Sequence, residues 1–269
     1  MISGGIQKFL IFNCLFFGLV SSCGTAIDRQ VAEQPEQAEL IISAAVSMQH
    51  VLEEIRLLYN QKYPQAKIVF NFGSSGGLQQ QIEQGAAVDL FISAAPQQMN
   101  RLAEKKLLIG KTRQNLVKNQ MVLVVSKDNR AIASFTDLTE RSVTKIALGE
   151  PNSVPVGQYA QEILTSLNII DTVRTKAVYG KDARQVFNYV ATGNIDAGIV
   201  YRTDAMDAEG VEIIDTAPSS THSSVVYPAA VIKNSKNIRA AEQMLRFLLS
   251  DEAQAIFQRH GFLPSSDRH

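Results

Sequence analysis

Two strand-to-helix junctions near the start of the folded region constrain this chain most strongly. Residues 40–89 contain a strand pattern ending in Ser-Ala-Ala-Val-Ser, a helical stripe, and a second strand pattern ending in Gly-Ser-Ser-Gly-Gly. The pattern puts Ser47 and Ser75 where a strand passes into a helix. The first N–H groups of a helix are unpaired and lie at the positive end of its dipole, so such junctions are ready anion sites. Two of them close together favour a protein that holds a small anion without a positive side chain.

Short apolar strands alternate with amphipathic helices from residue 39 onward. This βαβαβα order predicts a parallel sheet covered on both faces. Pro228 interrupts a strong strand pattern and predicts an edge strand or a crossing point, since proline cannot donate to a sheet. The predicted strands cover residues 40–43, 68–72, 89–93, 121–125, 145–148, 177–179, 196–201 and 225–232, and the predicted helices 48–63, 78–84, 96–105, 157–167, 183–192, 238–249 and 252–260.

This order of elements predicts two α/β lobes. Residues 39–121 together with 230–269 form the first lobe, and residues 122–229 form the second as an insertion. The two segments that cross between the lobes are expected at 121–125 and 225–231.

The first 38 residues are expected to lie outside the fold. Residues 1–22 contain an apolar run too short to span a membrane comfortably, followed by small residues, as in a secretory signal peptide. Val20-Ser-Ser-Cys23 resembles the lipobox of bacterial lipoproteins, which implies cleavage before Cys23 and acylation of that residue. A plain signal peptide with an incidental cysteine is the alternative. Residues 23–38 then form a lipidated tether, and the location is periplasmic or extracytoplasmic.

Composition and motifs narrow the function further. The formal net charge is +0, so no basic field attracts nucleic acid. No Walker loop, dinucleotide fingerprint or cluster of metal ligands is present, which predicts no cofactor and no bare metal cation. His50 follows Ser47 by three residues, but no Gly-x-Ser-x-Gly motif surrounds either serine, so a serine hydrolase is a minor alternative. Ser47 as a simple helix cap and Ser75 in a glycine-rich turn also remain open.

The second lobe offers matching features. Residues 150–157 lead into a helix in which Pro155 can form the first turn, and Asp182 can cap the next helix. Tyr201 ends a strand and could present its hydroxyl. Arg184 and Arg202 lie beside these positions and are interpreted first as surface charges.

Several motifs, in order and at similar spacing, resemble the family of periplasmic molybdate-binding proteins, the substrate-capturing component of molybdate ABC importers. They are Ala44-Ala-Val-Ser-Met48, Phe72-Gly-Ser-Ser-Gly-Gly-Leu78, the segment 81–94, and Gly198-Ile-Val-Tyr201 with Asp204-Ala205. The likeness runs from about residue 39 to 262. It implies a two-lobed type II periplasmic-binding-protein fold with two crossing strands and a ligand cleft between the lobes.

The resemblance also implies the site residues. In that family two serines of the first lobe hold the oxyanion, and they fall on Ser47 and Ser75. Second-lobe backbone N–H groups fall on Val156 and Ala183, and a tyrosine falls on Tyr201. Val156 departs mildly from the alanine common there, and the match at Ala183 is looser.

The expected ligand is therefore molybdate or tungstate, delivered by a monomeric receptor to an ABC transporter permease. Molybdate is a fully deprotonated dianion at neutral pH and suits a pocket of donors alone, whereas phosphate retains protons and needs an acceptor. A receptor for sulfate or another tetrahedral oxyanion is the alternative.

Overall fold

The computed structural model describes residues 39–127, 131–206 and 208–265. The predicted signal peptide, Cys23 and the tether lie outside these residues. The strands are β1 (Glu39–Ala45), β2 (Lys67–Gly73), β3 (Leu90–Ile92), β4 (Gln114–Asn119), β5 (Met121–Ser126), β6 (Ile146–Gly149), β7 (Ala177–Gly180), β8 (Ala197–Tyr201), β9 (Val211–Thr216), β10 (Val225–Val231) and β11 (Leu263–Pro264). The α-helices are α1 (Gln49–Lys62), α2 (Ser75–Glu83), α3 (Pro96–Glu104), α4 (Pro155–Ser166), α5 (Ile170–Arg174), α6 (Ala183–Ala191), α7 (Arg202–Ala205), α8 (Ile238–Leu248) and α9 (Asp251–Arg259).

Two sheets organise these elements. The first has the order β11-β4-β10-β3-β1-β2, and the second has the order β7-β6-β8-β5-β9. We call each sheet with its packed helices a lobe: α1, α2, α3, α8 and α9 belong to the first lobe, and α4 to α7 to the second. Among the described helices, none combines the length and apolar character needed to cross a bilayer.

The sheets are mixed, so the expectation of parallel pairing holds only in part. In the first lobe β1 pairs in parallel with β2 and β3, as the βαβ pattern predicts, but β10 runs antiparallel to β3 and β4. In the second lobe β6 pairs in parallel with β7 and β8, while β5 runs antiparallel to β8 and β9. The antiparallel strands are those beside the points where the chain changes lobe.

The chain crosses between the lobes by short links. Only Gln120 separates β4 from β5, and the Asn119 side chain holds this link, since its Oδ1 accepts a hydrogen bond from the Gln120 N–H at 2.8 Å. The chain returns between β9 and β10. Each of β5 and β10 lies wholly within one sheet, so the predicted lobe boundary between residues 229 and 230 falls inside β10.

Pro228 does not mark an edge strand. β10 lies between β4 and β3, so the edge position that proline favoured is wrong. The sheet accommodates Pro228 through an irregularity in register against β4 between Tyr227 and Pro228. The Pro228 carbonyl still accepts a hydrogen bond from Ser93 N–H at 2.9 Å, so only the donor side of the ladder is lost.

Helix α2 begins three residues earlier than the apolar stripe predicts. Ser74 is its N-cap, and its Oγ accepts a hydrogen bond from the Gly77 N–H at 3.2 Å. Gly76 and Gly77 therefore lie inside the first turn. Ser75 becomes the first residue of the helix, with 1% of its surface exposed.

Candidate functional site

The five predicted ligand-binding residues surround one cavity between the lobes. The cavity has a volume of about 10 Å³, far less than the usual pocket for a drug-sized ligand. Among the described residues that line it, none carries a charge. Ser47, Ser75, Val156, Ala183 and Tyr201 line the cavity together with Ala45, Val46, Gly73, Ser74, Ala94, Val154 and Pro155.

Ser47 lies in the short 3₁₀ turn Val46–Met48 that joins β1 to α1. Its interpretation as a simple helix cap is wrong, because neither this turn nor α1 has a side-chain capping bond. The Ser47 Oγ instead lies 3.1 Å from the hydroxyl of Tyr227. Tyr227 is fully buried and also accepts a hydrogen bond from Asn119 Nδ2 at 3.3 Å. Since Asn119 holds the link at Gln120, a polar chain connects Ser47 to the crossing between the lobes.

Ser75 is oriented by the strand beside it. Its Oγ accepts a hydrogen bond from the Ala94 N–H at 2.9 Å, just after β3. A serine hydroxyl has one hydrogen and two lone pairs. With one lone pair engaged by Ala94, the hydroxyl hydrogen can point into the cavity. The interpretation of Ser75 as part of an anion site is therefore compatible with its local bonding.

The second-lobe wall consists of two helix starts. Pro155 and Val156 are the first two residues of α4, and Ala183 is the first residue of α6. The N–H groups of Val156 and Ala183 belong to the first turn, where no intrahelical acceptor exists. Asp182 caps α6 as predicted, since its Oδ1 accepts a hydrogen bond from the Gln185 N–H at 2.8 Å.

Glu150 fixes the loop that precedes α4. Its carboxylate accepts hydrogen bonds from Asn152 N–H at 3.0 Å and from the Ser153 hydroxyl at 2.8 Å. Burial alone would raise the pKa of Glu150, but these hydrogen bonds together hold that pKa below its usual range. An ionised Glu150 thus orders the turn that presents Val156 to the cavity, while remaining outside the lining itself.

Tyr201 ends β8 and is 1% exposed. Its hydroxyl is buried and, among the described groups, has no hydrogen-bond partner. Burial raises the pKa of Tyr201 well above its usual value, so the phenol stays neutral and can donate. A buried hydroxyl without a partner costs about 1–3 kcal/mol, and a ligand acceptor in the cavity would remove that cost.

Asp204 lies beside the site and was not predicted to take part in it. It belongs to α7, directly after β8, and its Oδ2 is buried without a described partner. Burial raises the pKa of Asp204 to about 7, although nearby Arg184 lowers it in part. Asp204 belongs to one of the motifs that carry the family resemblance, but that motif assigned it no role, and Tyr227 has no local sequence signal because tertiary packing brings it to the site.

The lobes touch each other around the cavity. The Gly76 N–H of α2 donates to the Ser153 carbonyl of the second lobe at 3.0 Å. A Cβ atom on Gly76 would lie 2.3 Å from that oxygen, so this approach requires a residue without a side chain. The Tyr159 hydroxyl of α4 donates to the Ala94 carbonyl of the first lobe at 3.4 Å.

The arrangement favours binding over catalysis. His50 does not face Ser47, since its Nε2 lies 2.8 Å from Arg184 Nη2, and the Ser47 hydroxyl bonds to Tyr227 instead. The serine–histidine pair that a hydrolase requires is therefore not formed. Within the described part of the chain, no group of three or more His, Cys, Asp or Glu residues could hold a metal ion. The small cavity is lined by the hydroxyl-bearing residues Ser47, Ser75 and Tyr201 and by the first-turn residues Val156 and Ala183, among apolar neighbours.

Comparison with known proteins is consistent with this chemistry. The family model described as "Bacterial extracellular solute-binding protein" matches residues 40–263. A Bacillus subtilis protein named as an ABC transporter substrate-binding lipoprotein, YvgL, is 42% identical over 95% of this chain and 98% of its own length. The molybdate-binding protein ModA of Haemophilus influenzae is 34% identical over 84% of this chain and 90% of its own.

Solved structures show the same fold. A substrate-binding domain from Clostridium difficile, assigned to a molybdenum ABC transporter, superimposes with a TM-score of 0.67 and 44% identity, covering 85% of this chain and 99% of that one. The periplasmic molybdate-binding protein of Azotobacter vinelandii superimposes with a TM-score of 0.77 at 22% identity, covering 84% and 100%. These likenesses confirm the predicted two-lobed α/β fold of the periplasmic binding proteins.

Proposed function

The chain belongs to the family of bacterial extracellular solute-binding proteins, and on that premise we propose that it captures molybdate or tungstate and delivers it to an ABC importer. Relatives at 34% and 33% identity are named as molybdate-binding proteins. The relative at 42% identity is named as an ABC transporter substrate-binding protein. The proposed ligand-binding residues are Ser47, Ser75, Val156, Ala183 and Tyr201.

One observation carries the proposal. Residues of both lobes that carry hydroxyl groups or unpaired first-turn N–H groups line one cavity, and its described lining contains no charged side chain. A tetrahedral dianion with no proton of its own can use every one of these donors, and the helix N-termini stabilise its charge. A carboxylate in the lining would repel it, and a buried cation would hold other anions equally well.

The same donors decide between related oxyanions. Phosphate carries protons near neutral pH, so at least one of its O–H groups would face donors and find no acceptor, which costs binding energy. Sulfate carries the same charge as molybdate and is smaller, so only the size of the cavity can exclude it. A sulfate receptor is therefore the remaining alternative within this class.

Calorimetric titration tests the proposal on a soluble form beginning after Cys23, with molybdate, tungstate and sulfate in turn. Tight binding of the first two without sulfate is the expected result. Binding of sulfate alone would move the chain to the alternative, and binding of none would refute the proposal.

Ser75→Ala, with Ser93→Ala as its matched control, tests the site. Ser93 is also buried and also accepts a backbone N–H, from Ala95 at 3.2 Å, but it does not belong to the cavity lining. We expect Ser75→Ala to raise Kd roughly 5- to 150-fold, or about 1–3 kcal/mol. Equal effects of the two variants would remove Ser75 from the site.

The location and partners are proposed as follows. The receptor is a monomer held outside the cytoplasm by lipid on Cys23, and it presents the loaded form to a membrane permease. In the full chain, we expect Cys23→Ala to move the protein from the membrane fraction to the soluble fraction without changing oxyanion affinity. Retention of the variant in the membrane would exclude this anchor.

A further inference from the structure

Beside the cavity, a second contact joins the lobes. His50 lies near the start of α1 in the first lobe, and Arg184 follows Ala183 on α6 in the second. The Nη2 of Arg184 and the Nε2 of His50 are 2.8 Å apart. Both residues line a larger groove that shares Ser47 with the ligand cavity, so the contact lies at the rim of the proposed anion site.

The chemistry of this contact fixes the protonation state of His50. A guanidinium has only donors, so the His50 Nε2 must be the acceptor and must carry a lone pair. His50 is therefore neutral, with its proton on Nδ1. A protonated imidazole would place an N–H donor and a positive charge against Arg184, and the contact would become repulsive.

Other charged groups lie near His50 and Arg184, but their described hydrogen bonds are with other partners. From α9 and the residue after it, Arg259 and His260 line the same groove, but both are bonded to Glu54 of α1, within the first lobe. From α7, the Asp204 carboxyl lies on the Arg184 side. The His50–Arg184 contact therefore joins the two lobes, whereas the Glu54 contacts lie within the first lobe.

We propose that His50 and Arg184 form a clasp that closes the cleft only when His50 is neutral, so that acid weakens oxyanion binding. The proposal rests on the proposed function, because it concerns the affinity of that same site. It makes Arg184 and His50 positioning residues: they hold the lobes together without touching the ligand.

The sign follows from linkage. Burial, together with the charge of Arg184 and then of His260, holds the pKa of His50 below 6.5 in the closed form. Separation of the lobes removes the Arg184 contact and restores a value nearer 6.5. Protons therefore bind the open form better, and the contribution of the clasp is complete above about pH 6.5 and is lost as pH falls below it. For one titrating group this weakens binding at most about tenfold between pH 7.5 and 5.5.

His50→Gln separates the clasp from a structural role. A glutamine amide oxygen can accept from Arg184 but does not titrate in this range. We would measure the Kd for tungstate by calorimetry at pH 7.5 and 5.5 for the wild type, His50→Gln and the control His222→Gln, whose histidine hydrogen-bonds only to its neighbour Ser223 among the contacts described.

At pH 7.5 we expect all three to bind alike. At pH 5.5 the wild type and His222→Gln should bind up to about tenfold more weakly than His50→Gln. A wild type and His50→Gln whose affinities change equally with pH would overturn the clasp while leaving the proposed function intact. No binding by the wild type at pH 7.5 would refute the proposed function and, with it, the role of the clasp.

Discussion

The approach of Gly76 to Ser153 gives a sharp test of closure around the ligand. An alanine Cβ at residue 76 would lie 2.3 Å from the Ser153 carbonyl oxygen, and 2.8 Å from its Cα. Both are backbone atoms, so no side-chain rotation can relieve the clash. Ordinary contact requires about 1 Å more separation between the lobes, and the 3.0 Å hydrogen bond from Gly76 N–H would be lost.

The size of the effect follows from the contacts that would lengthen. Loss of the Gly76 hydrogen bond costs about 0.5–1.5 kcal/mol, and loss of one charge-assisted bond from a second-lobe donor to the anion costs about 1.5–3 kcal/mol. We therefore expect Gly76→Ala to weaken molybdate binding by about 2–4.5 kcal/mol, a rise in Kd of roughly 30- to 2,000-fold.

Gly77→Ala is the matched control, because residue 77 lies in the same helix turn. Its Cβ would meet only the Ser74 Oγ of its own lobe, at 3.0 Å. Alanine favours a helix over glycine by about 0.5–1 kcal/mol, and at residue 77 the Ser74 Oγ must shift by a few tenths of an ångström to make room. Calorimetric titration and urea unfolding of both variants are the assays. Wild-type affinity in a folded Gly76→Ala protein would refute the reasoning, because the bound state would then not contain this contact.

Two further substitutions, Tyr201→Phe and Asp204→Asn, are tested through the affinity for the ligand and the free energy of unfolding. Tyr201→Phe removes a buried hydroxyl that has no described partner. The ligand-free protein should therefore keep or gain stability in urea unfolding, while the Kd for molybdate rises roughly 5- to 150-fold. A loss of stability in the ligand-free variant would contradict this prediction. Because burial raises the pKa of Asp204 to about 7, ionisation of Asp204 opposes folding, and stability from this group falls as pH rises from about 4 to about 7. In the wild type this decline in the free energy of unfolding can reach about 1.4 kcal/mol per pH unit, and Asp204→Asn should remove it. Parallel curves of unfolding free energy against pH for both proteins between pH 4.5 and 7.5 would exclude this role of Asp204.

Much of the fold could be predicted because its signals are local. The βαβ pattern over residues 40–105 depends on apolar period and on breakers such as Gly85, whose φ of +89° ends α2 as expected of a C-terminal glycine. β4 and β9 were missed because their half-exposed residues alternate poorly. The edge-strand prediction from Pro228 was wrong because the chemistry of one residue does not show which strands lie on either side of it.

The candidate site likewise has a part that local sequence signals predict and a part that they do not. Helix starts at Val156 and Ala183 can be read from Pro155 and Asp182, and the resemblance places Ser47, Ser75 and Tyr201. What sequence could not supply are the long-range partners. Tyr227 lies 180 residues from Ser47 and Arg184 lies 134 from His50, and only the packed lobes bring these pairs together.

The single-residue link at Gln120 has a thermodynamic consequence. Only one residue joins β4 to β5, and Asn119 is bonded both to Gln120 and, at 2.8 Å, to the Thr203 hydroxyl across the crossing, so this link restrains the relative orientation of the lobes. We therefore expect ligand capture to lose little conformational entropy at this crossing, because the link is already ordered by its hydrogen bonds. A link that is ordered before binding leaves more of the free energy of the ligand's hydrogen bonds to appear as affinity.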